Sequence, residues 1–191
     1  AKAAEILAGQ FTLIATNVPY LGRGKQDAVL QDYCERVHPV AKSDLATCFV
    51  ERCIAFCSRG GVTALVTPQN WWFSSTYKTL RQQILTGRSL HFATTLGEEA
   101  WQAFGDRGPF AGLICFGTDH APSEQYFAGI DALPRKTISE KIVELERGEI
   151  LVLSQAELRN NPDHRIAVAV PSRTATLEAF AKSYQGIKTG D

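Results

Sequence analysis

The sequence predicts an α/β fold, and three observations carry that expectation. Short apolar runs rich in β-branched and aromatic residues recur along the chain, each stopped by turn residues. Between them lie segments with helical periodicity and helix caps. The two kinds of element alternate, which is the pattern of a largely parallel sheet covered by helices.

Ala1 to Gln10, rich in Ala, Leu and Glu and closed around Gly9, reads as the end of a helix. Phe11 to Ala15 is a brief β-rich run, expected to be a buried strand, and Thr16-Asn17-Val18-Pro19-Tyr20 stops it in a polar, proline and aromatic turn. Asn17 therefore stands at the carboxyl end of a strand, where open α/β sheets bind their ligands. Pro19 has a fixed φ and biases Val18 to extended geometry, which turns backbone carbonyls out of the ladder towards a ligand. Leu21-Gly22-Arg23-Gly24-Lys25 is expected to be a flexible loop, and it lacks the spacing and the Lys-Ser/Thr pair of a phosphate-binding Walker loop. Asp27 to Val37 predicts a helix ending before Pro39.

Ser43 is placed as the N-cap of the next helix, with Asp44 in its first turn, where a carboxylate suits the dipole. Leu45, Cys48, Phe49, Ile54, Phe56 and Cys57 give that helix a broad apolar face, and Gly60-Gly61 are expected to end it. A second buried strand, Val62 to Thr67, stops at Pro68-Gln69-Asn70-Trp71-Trp72-Phe73. Ser75 to Leu85 predicts a helix broken at Gly87. Ser89 to Leu96 and Gly112 to Gly117 predict a third and a fourth strand, separated by a turn-rich loop that carries Trp101 and Phe104. From Asp119 to Pro134 the rhythm lapses into loop. Thr137 to Arg147 predicts an amphipathic helix, Ile150 to Leu153 a short strand, and Ser154 caps a short helix through Asn160. Ile166 to Val170 is read as a further strand and Ser172 to Tyr184 as a last helix.

Composition narrows the function. With 191 residues, 45% of them hydrophobic, the chain is long enough to bury a substantial core. Twenty basic residues balance twenty acidic ones, which excludes a protein that grips nucleic acid through an overall basic surface; such affinity has to be local or come from elsewhere in a longer chain. No run of about 20 apolar residues and no basic-then-apolar leader occurs, so no membrane partner and a cytoplasmic location are expected. A start at Ala1 and the lack of any Met are what an excised piece of a longer protein would show. The five cysteines, at 34, 48, 53, 57 and 115, lack Cys-x-x-Cys spacing and nearby paired histidines, and are expected to be buried core thiols with no metal bound.

Asn17-Val18-Pro19-Tyr20 resembles the Asn-Pro-Pro-Tyr motif of the S-adenosylmethionine-dependent amino-methyltransferases, above all those that methylate adenine N6 in DNA. Adenine's exocyclic nitrogen is a poor nucleophile because its lone pair is delocalised into the ring. The resemblance implies that the Asn17 side-chain oxygen and the Val18 carbonyl each accept one N–H of that amino group, Pro19 shapes the turn, and Tyr20 stacks on the extruded base. Positioning and electrostatics carry the chemistry, since a sulfonium methyl is already electrophilic. Val18 stands where the family has its first proline and keeps the carbonyl, so Val18→Pro is expected to be neutral or mildly activating. On the tetrapeptide alone, a strand-ending turn with Tyr20 packed in the core fits equally.

The order of the following segments is similar to that of large DNA adenine methyltransferases, namely restriction-methylation fusions and the PglX-like enzymes of phage-defence systems. It comprises Lys42-Ser43-Asp44-Leu45, Gly60-Gly61, Thr67-Pro68-Gln69-Asn70-Trp71 and Leu80-Arg81, and covers residues from about 9 to 118. This likeness implies strands four to seven of a seven-stranded, Rossmann-like methyltransferase sheet with flanking helices and a C-terminal helical connector. Residues 1–134 would be the C-terminal half of the catalytic domain and 135–191 a connector to a DNA target-recognition domain, with Gly186 to Asp191 resembling the segment that leads into it. Asp44 and Leu45 would line the pocket edge, or merely cap a helix. Trp101, with Phe104 second, would face the target base opposite Tyr20, or tuck into the core. Arg23 and Lys25 would follow the DNA backbone, or be plainly solvated.

The implied cofactor is S-adenosylmethionine, although its glycine-rich turn is not found: glycines 22 and 24 follow the tetrapeptide, and 60 and 61 precede a strand. The implied partners are double-stranded DNA with a flipped adenine and other subunits of a defence system. Two further readings stay open. The same tetrapeptide serves enzymes that methylate glutamine side chains in proteins, and the neutral charge and Val18 also suit a degenerate, non-catalytic module that binds DNA or a partner.

Overall fold

The computed structural model of the protein describes residues 2–100 and 108–169. Its elements are α1 (Lys2–Ala8), β1 (Phe11–Asn17), α2 (Ala28–Val37), α3 (Leu45–Phe56), β2 (Cys57–Pro68), α4 (Lys78–Gly87), β3 (Ser89–Gly97), β4 (Ala111–Gly117), β5 (Tyr126–Asp131), α5 (Ile138–Arg147), β6 (Leu151–Ser154) and α6 (Gln155–Asn160). The six strands make one mixed sheet in the order β1-β2-β4-β3-β5-β6. β1 pairs with β2 in parallel, β4 runs antiparallel between β2 and β3, β5 is parallel to β3, and β6 is antiparallel to β5. β1, β2, β3 and β5 therefore all point the same way. Their carboxyl ends gather along one edge of the sheet, with Asn17, Pro68, Gly97 and Asp131 as the last residues.

The four expected strands are present and form the partial Rossmann-like arrangement. Two strands extend it. β6 follows the expected run, whereas β5 replaces an expected loop. Its apolar run is interrupted by Gly129, which hides the strand pattern in the sequence. The glycine is needed because a Cβ there would lie 2.8 Å from Leu153 and 2.9 Å from Val168, side chains that close over the sheet at this point.

The core is built around the loop after β2. Trp71 and Trp72 are fully buried and meet edge-to-face at 6.4 Å, and Trp71 also lies 6.5 Å from Phe116. Gly112 of β4 makes room for Trp72: a Cβ on it would stand 2.6 Å from the indole ring. Leu65, Leu90 and Ile114 complete this cluster from one face of the sheet, with Val50, Leu80 and Leu85 from helices α3 and α4. Cys34, Cys48, Cys53 and Cys57 are buried free thiols and Cys115 is half-buried. Burial pushes the Cys53 thiol up to about 11 and raises those of Cys48, Cys57 and Cys115 as well, so these are poor nucleophiles near neutral pH. Among the described residues no helix is long and apolar enough to cross a membrane.

Five local expectations are corrected. β1 is a strand but not a buried one: it sits at the sheet edge, pairs with β2 alone among the described strands, and leaves Leu13 61% exposed. The cap of α3 is Asp44, not Ser43, because the Asp44 carboxylate accepts the Ala46 N–H at 2.8 Å. α3 ends at Phe56, and Gly60-Gly61 lie inside β2. Gly60 takes φ +74°, and a Cβ on Gly61 would stand 2.9 Å from the carbonyls of Phe11 and Ser58, so these glycines serve a close backbone approach beside the register shift of β1. On α3 the buried face is Ala46, Thr47, Cys48, Val50, Cys53 and Ile54, while Phe49 is exposed. Residues 166–169 form no strand; instead the Ile166 N–H donates to the Trp72 carbonyl at 2.9 Å. The helix expected at Ser172 to Tyr184 and the segment from Gly186 lie outside the described residues.

Candidate active site

The candidate site grows from the end of β1. Asn17 is its last residue and stands in register with Val66 of β2. The chain stays extended for one step more, because the Val18 N–H donates to the Val66 carbonyl at 3.2 Å while the Val18 side chain, 3% exposed, enters the core. Alternation then sends Asn17 and Pro19 to the exposed side of this segment and leaves Tyr20 half-buried. The peptide between Val18 and Pro19 has no N–H, so at that point the backbone offers only an acceptor.

This geometry reverses the expectation for Val18→Pro. Proline removes the N–H that holds the turn to β2 and exchanges a side chain fitted to the core. We expect Val18→Pro to lose roughly 1–3 kcal/mol, the cost of leaving a buried carbonyl unpaired, and to lower rather than raise activity. Urea unfolding and an initial-rate assay test this together, and an unchanged midpoint with full activity would contradict it.

The segment after Tyr20 was expected to be flexible and is instead tied down. The Leu45 N–H donates to the Leu21 carbonyl at 3.0 Å, and the Leu21 N–H to Asp44 Oδ1 at 3.3 Å. The Arg23 N–H donates to the Ser43 carbonyl at 3.0 Å. From the other side, Gln26 Nε2 donates to Leu21 O at 3.0 Å and Gln31 Nε2 to Arg23 O at 3.1 Å. Asp44 thus caps α3 and fastens the turn with one carboxylate oxygen, and Leu45 packs against the main core. The result is a turn held in one geometry before any ligand arrives.

Tyr20 packs against the main core, and its hydroxyl is buried with no partner among the described residues. Burial first, and the charge of Asp44 second, push its pKa up to about 12. Tyr77 is raised in the same direction by burial and then by Asp44, against a lowering hydrogen bond with Thr47. A raised phenol is a folded state that keeps its proton longer than the unfolded chain does. The stabilising difference is full below pH 10, the ordinary tyrosine value, and is lost as pH rises towards 12. We therefore expect stability to fall between those limits and Tyr20→Phe to shrink the fall, with urea midpoints at neutral and alkaline pH as the check. An equal alkaline loss in wild type and Tyr20→Phe would refute the assignment.

The end of β2 adjoins this turn through Val66. Thr67 Oγ1 accepts from Trp71 Nε1 at 3.0 Å, and the Gln69 N–H donates to Phe110 O at 2.7 Å. Gln69 is 8% exposed and its Oε1 is buried without a partner among the described residues. An amide between Pro68 and Asn70 at the end of a buried strand is the signal that marks it.

The other site candidates distribute as follows. Arg23 pairs with Glu35 at 2.9 Å, and Lys42 reaches the same carboxylate at 2.5 Å; the two cations hold the Glu35 carboxyl below its usual range. Lys25 is exposed. Trp101 and Phe104 lie outside the described residues. Gly22 and Gly24 lie in the tied turn between β1 and α2, after the tetrapeptide, and Gly60-Gly61 lie inside β2.

Comparison with known proteins follows the same outline. A family model described as Eco57I restriction-modification methylase matches residues 2–101. The chain is 32% identical over 104 residues to the adenine-specific methyltransferase PglX of Lacticaseibacillus casei (strain Zhang), a match that covers 54% of this chain and 9% of that protein. It is 30% identical over 96 residues to the adenine-specific methyltransferase BrxX of Escherichia coli O9:H4 (strain HS), covering 50% of this chain and 8% of that one. The chain thus spans less than a tenth of these curated relatives. Among solved structures, the DrdV–DNA complex superposes with a TM-score of 0.62 at 14% identity, covering 85% of this chain and 18% of that one. A nuclease-deletion mutant of the Type ISP restriction-modification enzyme LlaGI, in complex with a DNA substrate mimic, gives 0.61 at 13% identity, covering 86% and 18%. At these identities the likeness establishes the fold.

Proposed function

Because this chain belongs to the Eco57I restriction-modification methylase family, we propose that it is part of a site-specific DNA methyltransferase that moves a methyl group from S-adenosylmethionine to adenine N6. The observation that carries the reading is the Asn17-Val18-Pro19-Tyr20 turn, set at the carboxyl end of β1 and tied to β2 and α3. In this proposal the Asn17 side-chain oxygen and the Val18 carbonyl accept the two N–H groups of the adenine amino group and keep its lone pair directed at the methyl group. Pro19 fixes the acceptor-only peptide, Asp44 and Leu45 form the pocket edge, and Tyr20 offers a ring edge or face to the extruded base. Trp101 or Phe104 closes over it from the opposite side.

When bound, S-adenosylmethionine supplies the electrophilic methyl group. The residues described supply the acceptor side, and the glycine turn for the cofactor comes from another part of the longer enzyme. Lys25 contacts the DNA backbone, and Arg23 does so on leaving Glu35. Residues 1–134 end the catalytic domain and 135–191 lead to a target-recognition domain. In this proposal the enzyme works on double-stranded DNA in the cytoplasm, beside other subunits of a defence system; the likeness in fold to restriction-modification enzymes solved with DNA supports the DNA partner.

A second reading follows from the tetrapeptide itself, which suits a glutamine side-chain amide as acceptor. Incubating the full-length enzyme with methyl-labelled S-adenosylmethionine, duplex DNA and a protein extract separates the two. Label recovered as N6-methyladenine supports the proposal. Label on glutamine supports the alternative, and no transferred label supports a non-catalytic module.

A further inference from the structure

Arg81 of α4 is fully buried, and its guanidinium is used entirely on backbone carbonyls of two separate loops. Nη1 donates to Trp71 O and Ser74 O, each at 2.7 Å, in the loop after β2. Nη2 donates to Asp163 O at 2.7 Å, and Nε is shared between Asp163 O and His164 O at 3.1 Å. Asp163 and His164 both take positive φ, 60° and 52°, a conformation that ordinary side chains disfavour. That strain is held by the surroundings. Asn161 closes the turn on Arg165 with two bonds of 2.7 Å, Lys78 pairs with the Asp163 carboxylate at 3.0 Å, and Ile166 N–H reaches Trp72 O at 2.9 Å.

The loop that Arg81 grips is the one beside the candidate site. Trp71 holds Thr67 through its indole N–H, and the neighbouring Val66 carbonyl holds Val18. The turn at 161–166 is thus linked through the hydrogen bonds of Arg81 and Trp71, and the backbone step from Thr67 to Val66, to the residue after Asn17. Apolar packing alone would bury α4 against this loop without a fork of five donors. An arginine whose three guanidinium nitrogens all donate to carbonyls of the two loops fixes distance and angle between them at once.

We propose that Arg81 is a positioning residue that couples the 161–166 turn to the placement of the target amino group. The proposal rests on the methyltransferase reading above. In the full-length enzyme, a displacement of the 161–166 turn is then transmitted to Asn17 and Val18 by this clamp.

The test uses full-length wild type, Arg81→Lys, Arg81→Ala and Asn161→Ala, with three readouts: duplex Kd, single-turnover methylation rate, and fluorescence of 2-aminopurine at the target position. Thermal unfolding reports the folded fraction of each variant. Duplex Kd should stay within about threefold, while the methylation rate and the extrusion signal fall between about threefold and thirtyfold, the range that coupling elements produce. Lysine should fail to rescue, because a point charge cannot replace the fork, whereas millimolar guanidinium should partly restore Arg81→Ala. Asn161→Ala loosens the turn without entering the core, so it keeps the test decisive if Arg81→Ala misfolds. Rates that fall only in step with the folded fraction, or an unchanged rate in Asn161→Ala and Arg81→Lys, would overturn the proposal. A wild type that transfers no methyl to adenine would remove the methyltransferase reading itself, and the coupling with it.

Discussion

Replacing Asn17 by Ala in the full-length enzyme should lower the methylation rate by about 10²–10³-fold, the loss typical of removing one preorganised polar group from a reacting centre. Duplex affinity should change by less than about twofold, because Asn17 is proposed to meet one amino group and not the phosphate backbone, which dominates DNA affinity. The side chain is on the exposed side of the β1 end, so its removal opens no cavity and the fold should persist. Single-turnover kinetics and a binding titration on the same preparation make the check. A variant with wild-type rate, or one that loses DNA binding in proportion to rate, would remove Asn17 from the role given to it.

Trp72→Ala should be the most destabilising single change in the described core, at about 3–5 kcal/mol, a large part of a typical domain's stability. Trp72 is fully buried, lies edge-to-face on Trp71, and fills the space that Gly112 leaves open. Its indole N–H has no partner among the described residues, so Trp72→Phe gives up ring volume but no hydrogen bond and should cost clearly less. Urea unfolding of the 191-residue chain distinguishes these cases. If Ala and Phe cost the same, the packing against Gly112 is not what the site is built on. The result bears on function as well, since the carbonyls of Trp71 and Trp72 anchor Arg81 and Ile166.

Much of the fold was legible because local signals and tertiary structure agree. Asp27 accepting from the Leu30 N–H, the Thr137–Glu140 capping box and the Ser154 cap all sit where side-chain chemistry puts a helix start. The strand ends that matter, Asn17 and Pro68, were marked by proline and polar residues. What escaped depended on contacts distant in sequence. The exposure of β1 follows from its place at the sheet edge, which an apolar run does not encode. Asp44 took the cap from Ser43 because its carboxylate also meets Leu21, 23 residues earlier. The stiffness of the loop after Tyr20 comes from Ser43, Asp44, Gln26 and Gln31 together, and glycines alone read as freedom. In the sequence Arg81 is only half of the Leu80-Arg81 segment, and its partners 82 and 83 residues away are what reveal a clamp.

In the proposed mechanism Asn17 and Val18 hold the amino group that receives the methyl. A structure of the full-length enzyme on its duplex, with a non-reactive cofactor analogue, measures this directly. The target adenine should lie out of the helix, with its N6 roughly 2.7–3.2 Å from both the Asn17 side-chain oxygen and the Val18 carbonyl. A flipped base whose N6 meets neither oxygen, or an adenine left stacked in the duplex while methyl transfer proceeds, would contradict it.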